Sequence, residues 1–199
     1  MLLKQCLIRG LKHSCLLRFA SSSSSSSREF PAFPIAAVAI TVIFRPSGSE
    51  PAQYLLVKRG KEPGKGLWSL PGGGIDTGET TLAAAARELA EETSLTEKHV
   101  KFYPHPFTST DAIYPAVDGS GTRFHYVISQ VLAFASPSAL SKAAASDDAE
   151  ALGWFSMQEM ALTDPPVVPS MLHVVNLAER YAQTVAIAEA DATSVPRGV

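Results

Sequence analysis

Hydrophobic and polar positions follow two different periods along this chain, and each period predicts one type of element. An almost continuous apolar run from Ile35 to Phe44, rich in Val and Ile, predicts a buried β-strand. Turn-forming residues over 46–51 interrupt it, and the run from Tyr54 to Val57 predicts a second strand that completes a hairpin. Alternation from Phe124 to Phe134 predicts a longer strand with one buried face.

Helical spacing of apolar residues predicts two helices. The first follows Thr80, a favourable N-cap, and its apolar stripe consists of Leu82, Ala85, Ala86 and Leu89. The second is predicted from Met171 to Ile187, with Ser170 as its cap. Both helices can bury one face against a sheet.

The remaining segments of the chain complete this prediction. We expect short strands at Val100–Tyr103 and Leu152–Phe155. We also expect an irregular connection at 108–116, a tight turn at 118–121 and a loop of small residues at 136–145. A mixed β-sheet between two helices is an α/β fold of the α/β/α sandwich type. The domain is expected over 34–188, and 189–199 is expected to form a frayed tail.

The first thirty residues have the composition of a targeting segment. They contain leucines at helical spacing, a run of seven serines, no acidic residue before Glu29, and five basic residues: Lys4, Arg9, Lys12, Arg18 and Arg28. These features predict a mitochondrial transit peptide, with a plastid peptide as one alternative. The other alternative is a disordered extension of a cytoplasmic protein. No apolar run approaches the ~20 residues that a bilayer requires, so we expect no membrane partner.

Charge and cysteine content narrow the function classes. Lys and Arg number 17 against 19 Asp and Glu, so no basic excess suggests a nucleic-acid polymer as the partner. Cys6 and Cys15 both lie in the N-terminal segment. If that segment is removed, the remaining domain has neither a disulfide nor a thiolate metal site.

Acidic residues are concentrated on the first predicted helix. Glu88, Glu91 and Glu92 have spacings that place them on one helix face, where like charges repel each other and require a compensating cation. Carboxylate oxygens are the ligands that Mg²⁺ prefers. A bound metal would shield phosphate charge and lower the pKa of a water, whose proton a spare glutamate could accept. A solvated acidic face without a metal is the alternative interpretation.

The glycine-rich loop and this helix together resemble a known motif. Gly73, Glu79 and the segment Arg87–Leu95 are similar to the Nudix box of the Nudix hydrolases, G-x5-E-x7-R-E-U-x-E-E-x-G-U, where U is apolar. Every fixed position matches except the last glycine, which is Ser94 here. The helix ends there, often with φ above zero, so we expect a strain of about 1 kcal/mol without loss of a ligand.

The resemblance implies a Nudix-type α/β/α sandwich that hydrolyses a nucleoside diphosphate linked to another moiety, with Mg²⁺ or Mn²⁺ as cofactor. It implies that water attacks phosphorus. The implied metal ligands are Glu88, Glu91, Glu92 and a backbone carbonyl near Gly72 or Gly73, with Arg87 and Glu79 holding the glutamates in place.

Further candidates lie outside the motif. Arg59, at the end of a predicted strand, is expected to bind substrate phosphates, whereas the nearby Lys61 and Lys65 are expected to be solvated. Trp68 is a candidate for stacking on a base, with a core position as the alternative. A lone strand histidine, His125, is expected to be structural.

Two acids of a later loop are candidates for a further ligand or for the general base. These are Asp148 and Glu150, and the alternative is that they cap a helix or lie in a solvated turn. The resemblance leaves open whether the base is such a loop acid or a glutamate of the motif.

Several activities are compatible with the resemblance. The segment order around 107–126 is similar to that of ADP-ribose pyrophosphatases, which cleave a nucleotide-type small molecule. A pyrophosphohydrolase of oxidised nucleoside triphosphates is the alternative, and a non-hydrolytic ligand-binding module is a second one. An isopentenyl diphosphate isomerase is disfavoured because the domain contains no cysteine. A homodimer is a candidate assembly, since many members of this family dimerise.

Overall fold

The computed structural model describes residues 33–146 and 148–194, and its strands belong to one mixed sheet. The seven strands of that sheet are β1 (Ile35–Phe44), β2 (Gln53–Arg59), β3 (Trp68–Ser69), β4 (Val100–Phe102), β5 (Thr108–Pro115), β6 (Thr122–Ala135) and β7 (Ala149–Phe155). The helices are α1 (Thr81–Thr93), α2 (Pro137–Lys142), α3 (Met157–Met160) and α4 (Met171–Ser194).

The centre of the sheet is a parallel pair, β1 and β6, which are in register from Ile35 opposite Tyr126 to Ile43 opposite Phe134. Strands β2, β3 and β7 extend the sheet on the β1 side, and β4 and β5 pair with β6, all in antiparallel orientation. The predicted β1–β2 hairpin and the mixed sheet are therefore confirmed.

Apolar side chains of the sheet alternate between two cores. One core lies beneath α1 and includes Val38, Ile40, Leu55 and Leu89; the other lies beneath α4 and includes Ile43, Leu56, Leu132, Met171 and Val175. Burying one such side chain stabilises the fold by roughly 1.5–3 kcal/mol. Because helices cover both faces of the sheet, the predicted α/β/α sandwich is confirmed.

A polar cluster fixes α4 against the sheet. Glu179 accepts a hydrogen bond from the Tyr54 hydroxyl at 3.0 Å and pairs with Arg45 at 2.8 Å. The hydroxyl of Tyr54 is buried, which raises its pKa and keeps it a hydrogen-bond donor. These contacts help to hold α4 over the sheet, so that its first turn reaches the cleft described below.

The predicted irregular connection over 108–116 is wrong, because this segment forms β5. Its residues pair with β6 from Thr108 opposite Gln130 to Pro115 opposite Thr122. Its polar residues suggested a loop, but pairing with a long neighbouring strand supplies the backbone hydrogen bonds that a lone segment lacks. The result is a β5–β6 hairpin around the predicted turn at 118–121.

Three smaller predictions also need correction. The loop predicted over 136–145 contains α2, which begins at Pro137 and buries Ala139; proline suits the first helical turn. Helix α4 runs to Ser194 instead of ending near Ile187, so it includes part of the predicted tail. Ser170 has φ 64°, and its hydroxyl donates to the Pro169 carbonyl at 2.6 Å, so the predicted cap bond to α4 is not formed.

The described residues do not include the predicted targeting segment 1–30 or residues 195–199. The transit peptide therefore stays a prediction. Across the described helices, no stretch combines the length and the apolar character that crossing a bilayer demands.

Candidate active site

The loop before α1 lies along β1 like an additional strand. The Val38 amide donates to the Gly73 carbonyl at 2.9 Å, and neighbouring bonds join Ile40 to Pro71 and Ile75 to Ala36. At Gly72, which has φ 150°, a Cβ atom would lie 2.2 Å from the Val38 carbonyl oxygen. Only glycine fits this close approach of two backbones.

The same loop contacts two glutamates of α1. The Gly72 amide donates to Glu92 Oε2 at 2.9 Å. A Cβ atom at Gly73 would lie 2.5 Å from the Glu88 carboxyl group, so the missing side chain makes room for that carboxylate. The Gly73 carbonyl, a predicted ligand, already accepts the Val38 amide and keeps one further lone pair.

Helix α1 has the predicted ends. Thr80 Oγ1 accepts the Ala83 amide at 3.2 Å, as expected of an N-cap. Ser94 has φ 59°, so the left-handed exit expected at this position is confirmed. Ala84, Ala85 and Leu89 are buried, whereas the acidic residues point towards the loop.

Arg87 holds the acidic residues of the motif together. Its Nε and Nη2 atoms donate to the two carboxylate oxygens of Glu79 at 3.0 and 2.9 Å. Its Nη1 atom donates to Glu88 at 2.8 Å and to Glu91 at 3.3 Å, and Nη2 also donates to the Gly74 carbonyl at 2.9 Å. These bonds lower the pKa of Glu79 and raise that of Arg87, so Arg87 makes the contacts that its predicted role as a clamp requires.

Burial changes the acidity of two glutamates. It raises the pKa of Glu92 to about 7, with Glu88 and Asp148 adding repulsion, although the Gly72 amide and Arg59 act in the opposite direction. Burial also raises the pKa of Glu88, against the attraction of Arg87. Concentrated, poorly solvated carboxylates of this kind are typical of a functional site.

A cleft of about 440 Å³ opens beside these carboxylates. Glu88, Glu91 and Glu92 line it, together with Arg59 and Asp148. Arg59 donates from Nε to the Pro63 carbonyl at 2.8 Å, and its charge acts on both Glu92 and Tyr126. The predicted phosphate-binding arginine therefore lies between the acidic end of the cleft and a tyrosine of its wall.

The structure distinguishes the two predicted loop acids. The Gly60 amide donates to the Asp148 carbonyl at 2.8 Å, and the Asp148 side chain forms an ion pair with Lys61. Asp148 and Lys61 line the cleft, and the Lys61 side chain is 71% exposed, so the expected solvation of Lys61 is confirmed although it borders the cleft. Glu150 is not among the lining residues and lies 4.0 Å from Lys58.

The structure places two other candidates outside the cleft lining. The Trp68 ring packs edge-on against Phe155, with 4.9 Å between the ring centres, and joins the core beneath α4. The structure favours the alternative core position over base stacking for Trp68, since β3 pairs with β2 and the indole packs with the core cluster. His125 lies 3.0 Å from Asp111, in agreement with its expected structural role.

Sequence reasoning missed one wall of the cleft. This wall belongs to the β5–β6 hairpin and the start of α4, and its residues include Thr110, Ala112, Tyr114, Tyr126, Ile128, Gln130, Met171 and Val174. The alternation in 124–134 already placed three of them on one strand face. The other half of the wall was missed because 108–116 was predicted to be irregular, so the residues of β5 were not expected to lie beside those of β6.

The donor atoms fit a hard divalent cation. Glu88, Glu91, Glu92 and Asp148 offer only oxygen, which suits Mg²⁺ or Mn²⁺ better than a softer metal. Within the described residues, however, no three acidic, histidine or cysteine side chains converge on one point. Arg87 accounts for this arrangement, because it draws Glu88 and Glu91 towards itself.

Known proteins resemble this chain in sequence. The 8-oxo-dGDP phosphatase NUDT18 of Homo sapiens is 31% identical over 136 residues, which are 68% of this chain and 37% of that protein. An ADP-ribose pyrophosphatase of Methanocaldococcus jannaschii is 48% identical over 46 residues, 23% of this chain and 27% of that protein. This chain thus spans less than half the length of these curated relatives.

Solved structures resemble it in fold. The NUDIX domain of Shewanella oneidensis NrtR, crystallised with ADP ribose, has a TM-score of 0.56 and 20% identity, covering 75% of this chain and 89% of that one. A C. elegans Ap4A hydrolase has a TM-score of 0.54 and 19% identity, covering 76% and 98%. In addition, the family model of the NUDIX domain matches residues 34–176. The chain therefore belongs to the NUDIX domain family.

Proposed function

We propose that this protein is a metal-dependent pyrophosphohydrolase that cleaves a nucleoside diphosphate derivative such as ADP-ribose. The observation that carries the proposal is the composition of the cleft. Carboxylates of Glu88, Glu91, Glu92 and Asp148 lie at one end, Arg59 lies beside them, and an aromatic and apolar wall completes it. This arrangement fits a diphosphate at the end with the carboxylates and Arg59, and an organic group of the same molecule against the aromatic and apolar wall.

In this proposal Glu88, Glu91 and Glu92 hold Mg²⁺ or Mn²⁺, together with a carbonyl of the loop at 72–73. The metal supplies charge neutralisation for the phosphates and acidifies water. Arg87 would give up its Nη1 bonds to Glu88 and Glu91 and keep its two-point contact with Glu79. The clamp would thereby keep α1 in place and leave the Glu88 and Glu91 carboxylates available to hold the cation.

The side chains of the cleft then have separate tasks. Arg59 binds a phosphate oxygen of the diphosphate and orients the phosphorus towards water. A carboxylate, from the motif or from Asp148, accepts a proton as the water oxygen forms its bond to phosphorus. The bridging P–O bond breaks, and the leaving phosphate departs with the electron pair.

ADP-ribose is the favoured substrate because a curated relative is an ADP-ribose pyrophosphatase and the NrtR domain of the same fold was crystallised with ADP ribose. A second candidate is an oxidised guanine nucleotide. The longer alignment with the human 8-oxo-dGDP phosphatase supports it, since that alignment covers 68% of this chain.

The test is product analysis with the full chain and Mg²⁺, using ADP-ribose, NADH, diadenosine tetraphosphate, 8-oxo-dGDP and 8-oxo-dGTP. We expect AMP and ribose phosphate from ADP-ribose, no products with EDTA, and no turnover by the Glu92→Gln variant. Release of 8-oxo-dGMP with phosphate or pyrophosphate would instead support the second candidate.

A purely ligand-binding module is the remaining interpretation. The intact set of acidic residues argues against it, because a binding module has no need of a metal-activated water. Tight binding of a nucleotide without turnover, in the presence of Mg²⁺ or Mn²⁺, would overturn the proposed hydrolase and support this interpretation.

A further inference from the structure

The β5–β6 hairpin carries a row of aromatic side chains that the proposed chemistry does not use. Phe124 and Tyr126 lie two residues apart on one face of β6, and their rings are stacked, with 6.1 Å between the ring centres and 25° between the planes. Tyr114 of β5 lies on the same face of the hairpin, since its register partner is Phe124. Tyr114 and Tyr126 line the cleft, so the row leads from the hairpin turn into it.

The cleft lies on one side of the Tyr126 ring. Phe124 stacks on this ring and does not border the cleft, whereas Ile128, the next residue on the same strand face, does. Tyr126 itself is only half-buried. The outer part of its ring extends beyond Ile128, because an isoleucine side chain is shorter than a tyrosine side chain. The ring face of Tyr126 that is turned away from Phe124 is therefore accessible to a ligand in the cleft.

Short side chains leave room beside this ring face. Ala112 is in register with Tyr126 across the hairpin, Thr110 is in register with Ile128, and all four residues line the cleft together with Met171 of α4. The space next to the ring is thus bounded by mostly apolar groups. Such surroundings suit a planar heterocycle better than a sugar, whose hydroxyl groups would lose water without gaining hydrogen bonds.

Tyr126 also lies near the phosphate-binding end of the cleft. The Arg59 charge acts on the hydroxyl of Tyr126 and on the carboxylate of Glu92, and all three residues line the cleft. Burial raises the pKa of Tyr126, so its hydroxyl stays neutral and does not repel a phosphate group. A nucleotide with its phosphates beside Arg59 would therefore have its base beside the Tyr126 ring.

We propose that the Tyr126 ring stacks on the base of the nucleotide and thereby positions the diphosphate beside Arg59. This inference rests on the proposed function for the reaction at the site, and it adds which part of the substrate the β5–β6 wall binds. In ADP-ribose, the adenine and not the terminal ribose would lie on the hairpin. Because stacking requires a planar ring, the site would favour nucleotides over diphosphates that lack a base.

The test compares two ligands that the proposed reaction cannot cleave, because a methylene group replaces the bridging oxygen. They are adenosine 5′-(α,β-methylene)diphosphate, which has a base, and methylenediphosphonate, which has none. Binding to the full chain is measured by calorimetry with Mg²⁺. We expect Tyr126→Leu to weaken binding of the nucleotide by about tenfold or more and to leave the Kd of methylenediphosphonate within about twofold of the wild type.

Two further variants act as controls. Tyr126→Phe keeps the ring and should bind the nucleotide within about threefold of the wild type. Phe33→Leu removes an aromatic side chain that is 80% exposed and lies outside the cleft lining, so it should bind both ligands like the wild type.

A direct measurement on the wild type decides the inference if Tyr126→Leu does not fold. Nuclear Overhauser contacts are expected between the adenine protons of the bound nucleotide and the ring protons of Tyr126, assigned by comparison with Tyr126→Phe. Absence of these contacts in the saturated complex would overturn the inference.

The outcomes separate this inference from the proposed hydrolase. An unchanged affinity of Tyr126→Leu for the nucleotide, or an equal loss for both ligands, would overturn it. A wild type that binds the nucleotide no more tightly than methylenediphosphonate would also overturn it, even if that protein cleaves a substrate. A loss confined to the nucleotide would support it even if no substrate in the panel is cleaved, and only the proposed hydrolase would then fail.

Discussion

Among the acids of the motif, Glu92 differs most from a solvated glutamate, because its carboxylate is buried and accepts a hydrogen bond from a backbone amide. Its raised pKa, about 7, means that the folded protein holds a proton there more tightly than the unfolded chain does. The residue is thus expected to destabilise the fold at the pH where a metal would bind it. Such a conflict between stability and function is common at active sites.

The first prediction concerns pH and stability. Between pH 4.5 and about 7 the folded state binds more protons at Glu92 than the unfolded state, so stability decreases as the pH rises through this window. The Glu92→Gln variant has no carboxyl group to titrate at this position, so its stability should not fall over this window. At pH 8.5 its free energy of unfolding should exceed that of the wild type by roughly 3 kcal/mol. Denaturant unfolding of both proteins in EDTA at pH 4 and pH 8.5 measures this difference in stability. The same difference between variant and wild type at both pH values would contradict the prediction.

Ser94 is the residue where this chain departs from the motif, and its backbone has the left-handed conformation that glycine tolerates best. The Ser94→Gly variant should therefore gain about 0.5–1 kcal/mol in unfolding free energy, with unchanged activity. Ser141→Gly, inside α2, is the matched control and should lose stability. Equal effects of the two changes on the denaturation midpoint would refute the role assigned to the Ser94 backbone.

At the scale of elements, α1 and the loop before it form one unit. The loop backbone bonds to β1 on one side and contacts Glu88 and Glu92 on the other, and Arg87 joins the helix to Glu79. The helix therefore cannot rotate without breaking contacts at both ends. This coupling explains why a short segment can hold several like charges in a fixed arrangement.

A third prediction tests this unit. Lysine at position 87 keeps the charge but cannot donate two parallel bonds to Glu79, so Arg87→Lys should lower kcat/KM by about 10- to 100-fold. The exposed Arg180→Lys on α4 is the control and should behave like the wild type. Activity of Arg87→Lys within twofold of the wild type, in a folded protein, would show that the clamp is dispensable.

At the scale of the whole molecule, the cleft is made by segments that are distant in sequence. The α1 unit provides one end, the β5–β6 hairpin and α4 provide a wall, and the loop before β7 contributes Asp148. Gly60 allows that loop to approach, since a Cβ atom there would lie 2.6 Å from the Asp148 carbonyl oxygen. The two core clusters fix the relative positions of these parts.

The fourth prediction follows from this assembly. Asp148→Asn should lower kcat/KM by at least about tenfold, because it removes a carboxylate from the cleft, whereas Glu150→Gln should have little effect. Lys61→Met reports how much of the loss comes from the ion pair alone. If Glu150→Gln were the more damaging change, the loop would adopt another position in the active enzyme.

The sequence by itself determined the acidic character of the candidate site, because the spacing of the motif acids on one helix is a local property. It also determined the central strands and the sandwich, which follow from hydrophobic periods, and the ends of α1, which follow from the residues at those positions. It could not choose between Asp148 and Glu150, place Trp68, or find β5. Those depend on which side chains a strand pairing turns towards the cleft, and pairing between distant segments leaves little trace in local composition. Only the tertiary structure decided them.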